Sequence, residues 1–431
     1  MKRNKVTSLV LAAVMVAISL TGCGGASAGE SSETTTTEAT AEVAAESTTE
    51  EAQEVTADAA SGDVTIWYYW ENESHQKALD EMIQGYNDSQ GNVKVSAKYV
   101  PFADFKKQLS IGASAGELPD LVILDNPDHA SYASMGIFAD LTGKFDVSNY
   151  YDGPVGSCTY DSKLYGVPFG SNCLALYYNE DMMAAAGVEV PTTWDELKEA
   201  AVKLTTDKVS GLAFCSLQNE EGTFNFLPWV WSTGETSYTI DTEGGVKALS
   251  FVKDLVDSGA MSKECINWTQ GDVMNQFISG NVAMMINGPW QVPTMRAEAP
   301  DLKWNVALIP QYSQYASGLG GENYGVIAGG NEAGALEFLK YATADEQVKF
   351  MMNTMGYISS DKTIAETQFT DDAVMKLFVE QMQYAQPRGP LAEWPDVSDA
   401  ISLAFNQVIT GAATPEEAAT AAQQTIDGIV Q

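Results

Sequence analysis

The chain has 431 residues, 58 of them acidic and 23 basic, for a formal net charge of −35. So negative a surface repels phosphate backbones and anionic lipid headgroups, which argues against nucleic acid as a partner and against anionic solutes. The length leaves room for two or three compact lobes.

The start, Met1-Lys-Arg-Asn-Lys5, is basic and leads into an apolar run, Leu9–Ile18, too short to span a membrane. Residues 1–22 therefore read as a signal peptide. It ends on Leu20-Thr-Gly-Cys23, which resembles the bacterial lipobox. That resemblance implies cleavage before Cys23 and lipid attached to its sulfur, holding the mature protein on the outer face of a bacterial cell membrane. Residues 23–61 are rich in Ser, Thr, Glu and Ala, with nine acids and no base. They cannot bury enough apolar surface to offset the entropy of ordering, so a disordered, self-repelling tether is expected, of the kind found on Gram-positive lipoproteins. Setting the tether and the three basic residues before it aside, about −29 remains on the globular part. Cys158, Cys173, Cys215 and Cys265 lack CxxC spacing and read as small buried hydrophobes, their pairing left open.

Val64–Tyr69 reads as the first strand, with Trp67 and Tyr69 expected in the core. A polar loop, Trp70-Glu-Asn-Glu-Ser74, precedes a helix whose apolar residues Leu79, Met82, Ile83 and Tyr86 keep helical spacing. A strand at Val93–Val100, a helix at Phe102–Ala115 and a short buried strand, Leu121–Leu124, follow. Strands alternating with helices imply a mostly parallel sheet, whose ligands sit at the carboxyl ends of strands. That rule selects Trp70, Glu71, Asn72, Asp125 and Asn126.

Tyr165–Asp181 reads as two strands joined through polar Asn172, a candidate hinge that could also touch ligand. Thr193-Trp-Asp-Glu196 is a capping box opening an amphipathic helix against which Trp194 packs. Then come a strand at Gly211–Ser216, the aromatic-dense stretch Asn225–Gly234, helices at Gly244–Ser258 and Val273–Ser279, and a strand at Val282–Ile286 ending in Asn287-Gly-Pro-Trp290. After a strand at Trp304–Ile309, Gly320-Gly-Glu-Asn323 is expected as a glycine-rich turn entering a strand. Helices follow at Ala333–Ala342 and after the capping sequence Thr343-x-x-Glu346. The loop Gln386-Pro-Arg-Gly-Pro390, a helix to Val408 and a last helix opened by Thr414-Pro-Glu-Glu417 complete the chain.

Leu118-Pro-Asp, Tyr165-Gly-Val-Pro, Leu176-Tyr-Tyr-Asn-Glu-Asp, Pro191-Thr-Thr-Trp-Asp-Glu-Leu, Gly280-Asn-Val-Ala-Met-Met-Ile-Asn-Gly-Pro-Trp and Gly320-Gly-Glu-Asn occur in the order of a known family. Over residues 62–431 the chain resembles extracellular solute-binding protein family 1, the carbohydrate-type, maltodextrin-binding-protein-like receptors of ABC importers. The resemblance implies an α/β, two-lobed clamp of the type II periplasmic-binding-protein kind, a monomer that hands a carbohydrate to ABC permease subunits. Lobe I would comprise 62–171 and 316–383, and lobe II 172–315 and 384–431. Crossings would lie near Gly170–Asn172, Tyr315–Gly321 and Tyr384–Arg388. Trp290 falls where the family stacks a sugar ring, and Phe224–Trp231 where it adds aromatic and polar contacts. Trp229 and Trp231 point to opposite sides if that segment is extended, so one of the two is expected at the ligand. Glu322, Asn323, Arg388 and Trp394 complete the candidates. The basic residue of the maltodextrin protein after the third strand is missing here, which points to a different substrate.

Flat Trp and Tyr faces suit the apolar side of a pyranose, while Asp, Glu, Asn and Arg pair with its hydroxyls. Gly112-Ala-Ser-Ala-Gly116 matches GxSxG, but it lies at a helix end instead of a strand-to-helix elbow, and His75 and His129 are the chain's two histidines. With no phosphate loop and no Cys/His cluster, no cofactor, metal or catalytic residue is assigned. Two other functions fit the sequence: a receptor of the same fold for another solute such as a polyamine, which an acidic chain tolerates, and a surface glycosidase built on a pair of the many carboxylates.

Overall fold

The computed structural model describes residues 60–430. The signal peptide, Cys23 and nearly all of the tether lie outside the described residues. The strands, in chain order, are β1 (Gly62–Tyr68), β2 (Val93–Tyr99), β3 (Leu121–Asp125), β4 (Thr159–Tyr160), β5 (Lys163–Leu164), β6 (Val167–Asn172), β7 (Ala175–Asn179), β8 (Ser210–Ala213), β9 (Val282–Asn287), β10 (Trp304–Ala307), β11 (Ser317–Val326) and β12 (Ala385–Pro387). They build two principal sheets, each with its own core, in an α/β fold of two lobes.

The first sheet runs β12-β11-β3-β1-β2, with β6 also paired to β11. Strands β1, β2 and β3 are parallel, as strands separated by helices require, whereas β11 runs antiparallel to β3 and β6. The second sheet runs β10-β7-β9-β8. Strand β7, inside it, is antiparallel to both neighbours and almost wholly buried. Helices Glu73–Ser89, Glu332–Ala342 and Asp345–Met355 cover the first sheet, and helices Trp194–Leu204, Glu220–Ser232, Glu243–Asp257 and Trp394–Thr410 enclose the second.

Several expectations change here. Gly320–Asn323 is no turn but the middle of the ten-residue strand β11, which leaves the second lobe beside β12 and enters the first beside β3. Gly321 has φ +133°, and a Cβ there would meet the Gly170 carbonyl at 2.1 Å, so only glycine allows β6 to lie this close. Helix Ala373–Gln381 packs Met375 and Phe378 into the second core ahead of the expected crossing at Tyr384–Arg388, where β12 joins the first sheet. The Thr193 and Thr414 capping boxes form, but Thr343 is the C-cap of the helix before it, its hydroxyl donating to Leu339 O at 2.7 Å, and the next helix starts from Ala344 without a side-chain cap. Gly112–Gly116 ends the helix Phe102–Ala115, with Gly116 as a left-handed cap, so no nucleophile elbow exists there.

The passages are pinned to one another. Ser171 and Ile358 exchange backbone hydrogen bonds of 2.8 and 2.9 Å. The Ser317 hydroxyl accepts from Leu174 N at 2.9 Å and donates to Leu174 O at 2.8 Å. All four described cysteines are free and buried.

Candidate functional site

A cleft of about 760 Å³ lies where the two sheets meet. Parallel pairing sets the carboxyl ends of β1 and β3 on one edge, so Tyr69, Trp70, Glu71, Asn72 and Asp125 arrive there together. Antiparallel β11 adds Gly320, Gly321 and Glu322, and Tyr357 completes this wall. The opposite wall comes from Glu220, Glu221 and Phe224 on the helix Glu220–Ser232, from Thr269–Gly271, and from Trp290 and Gln291 after β9. Asn172 and Arg388 lie between the walls.

Glu322 is the hub of the first wall. Tyr69 and Tyr357 hydroxyls each donate to its Oε1 at 2.9 Å, and the Trp70 indole N–H donates at 3.1 Å. Its Oε2 has no hydrogen-bond partner, although the side chain is only 4% exposed. In the β3–β11 register Glu322 stands directly opposite Asp125, a like-charge pair that costs energy. Burial, then the Asp125 charge, pushes its carboxyl up to about 7. Tyr69 is thus a correction. Strand β1 ends at Tyr68, the in–out alternation stops there, and Tyr69 turns to the cleft while Trp67 stays beneath Lys98.

Arg388 relieves Asp125. Its two terminal nitrogens donate to Asp125 at 3.0 and 2.9 Å, and one also reaches Glu220 Oε1 at 2.6 Å. Asn126 accepts a long bond of 3.4 Å from the same guanidinium and lies behind the cleft wall. Trp394 is fully buried in the second core, where its indole N–H donates to Glu220 Oε2 at 3.0 Å and so holds Glu220 toward Arg388. The guanidinium lies 4.2 Å from the Phe224 ring centre. Beside it, Asp128 pairs with Lys106 at 2.8 Å.

Phe224 and Trp290 stack with ring centres 6.3 Å apart and 29° between planes, forming the aromatic side of the cleft. The close approach of Phe224 to β11 depends on glycine: a Cβ on Gly318 would meet its ring at 2.4 Å. One on Gly320 would meet Asn172 Oδ1 at 2.1 Å and Phe224 at 2.9 Å. Trp290 is half-buried, and its carbonyl accepts from Asn72 Nδ2 at 3.0 Å, a bond from one wall to the other. Asn72 occupies the N-cap of the helix Glu73–Ser89, yet its side chain makes no cap bond. It reaches across instead.

Five candidates do not line the cleft: Trp229, Trp231, Asn323, Trp394 and, behind its wall, Asn126. Trp229 and Trp231, 0% and 2% exposed, belong to a helix, not an extended segment. That helix directs its first turns at the cleft, and a rise of about 1.5 Å per residue carries both tryptophans one to two turns beyond Phe224, into the core. Trp229 packs there against Trp194, Phe214 and Phe251. Asn323 follows Glu322 on a strand and so takes the opposite face, where its Nδ2 donates to Ser157 Oγ at 3.0 Å. Trp394, as described, acts from behind. The sequence reading missed Glu220, Glu221, Tyr357 and His75. Asn219-Glu-Glu was a legible helix start, since Asn219 caps Gly222 N and acids favour a first turn. Nothing local marked Tyr357. His75 lines the cleft, held neutral by burial with its pKa lowered to about 4.

A polar and aromatic cleft at the junction of two α/β lobes is where a small-molecule ligand is expected to sit. The bacterial extracellular solute-binding protein family matches residues 81–376, and the chain belongs to that family. It is similar to the galactooligosaccharide-binding protein of Bacillus subtilis, 23% identical over 382 residues, 84% of this chain and 89% of that one. Among solved structures it is similar to an ABC transporter solute-binding protein of Thermotoga lettingae bound with α-D-tagatose (TM-score 0.80, 25% identity, 86% of this chain and 100% of that one). It also matches the GacH receptor of Streptomyces glaucescens, solved unliganded and with acarbose (TM-score 0.78, 28% identity, 86% and 98%).

Proposed function

We propose that the protein is a lipid-anchored extracellular receptor that captures a sugar between its lobes and delivers it to an ABC importer. The observation that carries this reading is the cleft itself, where Phe224 and Trp290 face a wall of Glu322, Asp125 and Asn172. An aromatic face takes the C–H side of a sugar ring, with stacking worth about 0.5–1.5 kcal/mol beyond buried area. Carboxylate and amide oxygens take its hydroxyls at about 1 kcal/mol each net. Two stacked rings and six such bonds sum to the roughly −8 kcal/mol of micromolar binding before the cost of association and lobe closure is subtracted. A ligand touching both walls favours their approach, which is the signal an importer can read.

The anchor rests on the sequence around Cys23, with residues 23–61 as the tether. Relatives named for sugar binding support the ligand class. Isothermal calorimetry over mono- and oligosaccharides, polyamines and anions tests it: saturable binding of a saccharide is the expected result, and binding of polyamines or anions alone overturns it. Incubation with a binding oligosaccharide should return it uncut; cleaved product would overturn the receptor role. Metabolic labelling with a fatty acid analogue should mark the wild type and not Cys23→Ala.

A further inference from the structure

Five carboxylates line the cleft, Glu71, Asp125, Glu220, Glu221 and Glu322, and Arg388 is the one lysine or arginine among the lining residues. Arg388 is already engaged by Asp125 and Glu220. Among the described residues none of Glu71, Glu221 and Glu322 forms a salt bridge with a basic side chain. His75, the other lining group able to carry positive charge, is held neutral by burial.

The acids fall into two like-charge groups, Glu322 with Asp125 and Glu221 with Glu71 and Asp272. Glu322 stands opposite Asp125, and its buried Oε2 is unpartnered. Glu221 Oε2 accepts from Gln270 N at 3.0 Å and from the Cys215 thiol at 3.6 Å, neither of them charged, while Glu71 and Asp272 raise its proton affinity. Burial pushes Glu221, like Glu322, up to about 7. A neutral sugar offers hydroxyl donors but leaves this charge unchanged. An ammonium group supplies donors and the missing positive charge together, and the pairing is strongest beside Glu322, which is only 4% exposed.

We propose that the cleft selects a saccharide bearing a protonated amino group, its ammonium taken up by the unpaired carboxylates Glu71, Glu221 and Glu322. The inference rests on the sugar-receptor reading and narrows its substrate class. The aromatic pair Phe224 and Trp290 is what favours an amino sugar over a linear polyamine, which has no ring face to stack.

The test uses the full chain and matched probes at pH 7: glucosamine, galactosamine and mannosamine, their N-acetyl forms, the parent hexoses, the corresponding disaccharides, and spermidine. At least one amino form should bind ten-fold or more tightly than its N-acetyl and hydroxyl counterparts. That ratio should fall several-fold in Glu221→Gln or Glu322→Gln, in a variant that still unfolds cooperatively. Equal or tighter binding of the neutral forms overturns this inference alone and leaves the receptor reading standing. So does a preference for the amine that neither variant alters. If no saccharide binds, whether or not spermidine does, the receptor reading falls and this inference with it.

Discussion

The two walls of the cleft solve different problems. On the first, polar groups converge on Glu322 Oε1 and on Asp125, so the carboxylates are fixed in direction before any ligand arrives. On the second, Phe224 and Trp290 present aromatic surface beside Glu220 and Glu221, which accept from Arg388, Trp394 and Gln270 N. A preorganised polar wall chooses which hydroxyl or amine is accepted, because a ligand that leaves a buried oxygen unpaired loses about 1–3 kcal/mol. An aromatic pair supplies area and tolerates variation in linkage. Specificity should therefore depend chiefly on the cleft carboxylates and ligand-contact energy chiefly on the aromatic pair.

The group between the walls should show the largest effect. Arg388→Ala leaves Asp125 and Glu220 buried without their cation, a loss of about 3–5 kcal/mol in unfolding free energy. Denaturant titration at neutral pH measures it. A loss below about 1 kcal/mol would mean that Arg388 does not hold the walls together.

Next in size is a pH effect at the hub of the first wall, read against a variant that leaves Glu221 in place. The Glu322 carboxyl, normally at 4.5, is raised to about 7, so between these values the folded chain binds more protons than the unfolded one. Stability contributed by the neutral acid is present below about 4.5 and is lost as pH rises through about 7. Over that window the wild type should lose about 3 kcal/mol relative to Glu322→Gln, whose amide cannot ionise. Parallel stability curves from pH 5 to 8 would show that the hub is not strained by its charge. His75 and His129, both lowered to about 4, act in the opposite direction as pH falls below 6.5, but they do so in both proteins and cancel in the comparison.

On the second wall the effect should fall on binding. Trp290 is half-buried at the end of a short turn, so Trp290→Ala should change stability modestly and weaken the best saccharide ligand by about ten-fold or more through lost stacking and area. Calorimetry with that ligand measures the effect. Unchanged affinity would remove the aromatic wall from the account.

How much of this was legible depended on how locally each feature is encoded. Strand alternation, helix spacing and the capping sequences at Thr193 and Thr414 are local, and they appear as written. Trp290 was reachable because a strand end followed by Gly-Pro has little choice but to turn. The Trp229 and Trp231 error came from reading an aromatic run as extended. Pro228 lies inside that helix, and Asn219, ten residues upstream of Trp229, is what sets its start. The hub at Glu322 was half legible: Glu322 could be named, but its donors Tyr69, Trp70 and Tyr357 meet only because β11 returns antiparallel between β3 and β6. Thr343 shows the converse: its hydroxyl serves the end of the preceding helix, so the capping sequence starts nothing.

Asn72 is where local and cross-cleft demands compete, and its effect should be the smallest. A residue with its capping propensity at a helix N-cap would ordinarily bind a first-turn N–H. Here the side chain donates to the Trp290 carbonyl at 3.0 Å, tying one wall to the other. In Asn72→Ala that bond, worth about 1 kcal/mol net, is lost wherever the walls are this close and was never made where they are apart. The approach of the walls then becomes less favourable, and saccharide affinity should fall by up to about five-fold. Unfolding free energy should barely change, since no cap bond is removed. Small-angle scattering of the ligand-free chain should detect a larger mean radius in the variant. An affinity loss accompanied by an equal loss of stability would mean that Asn72 supports its helix, and that Phe224, Trp290 and Glu322 are held together without it.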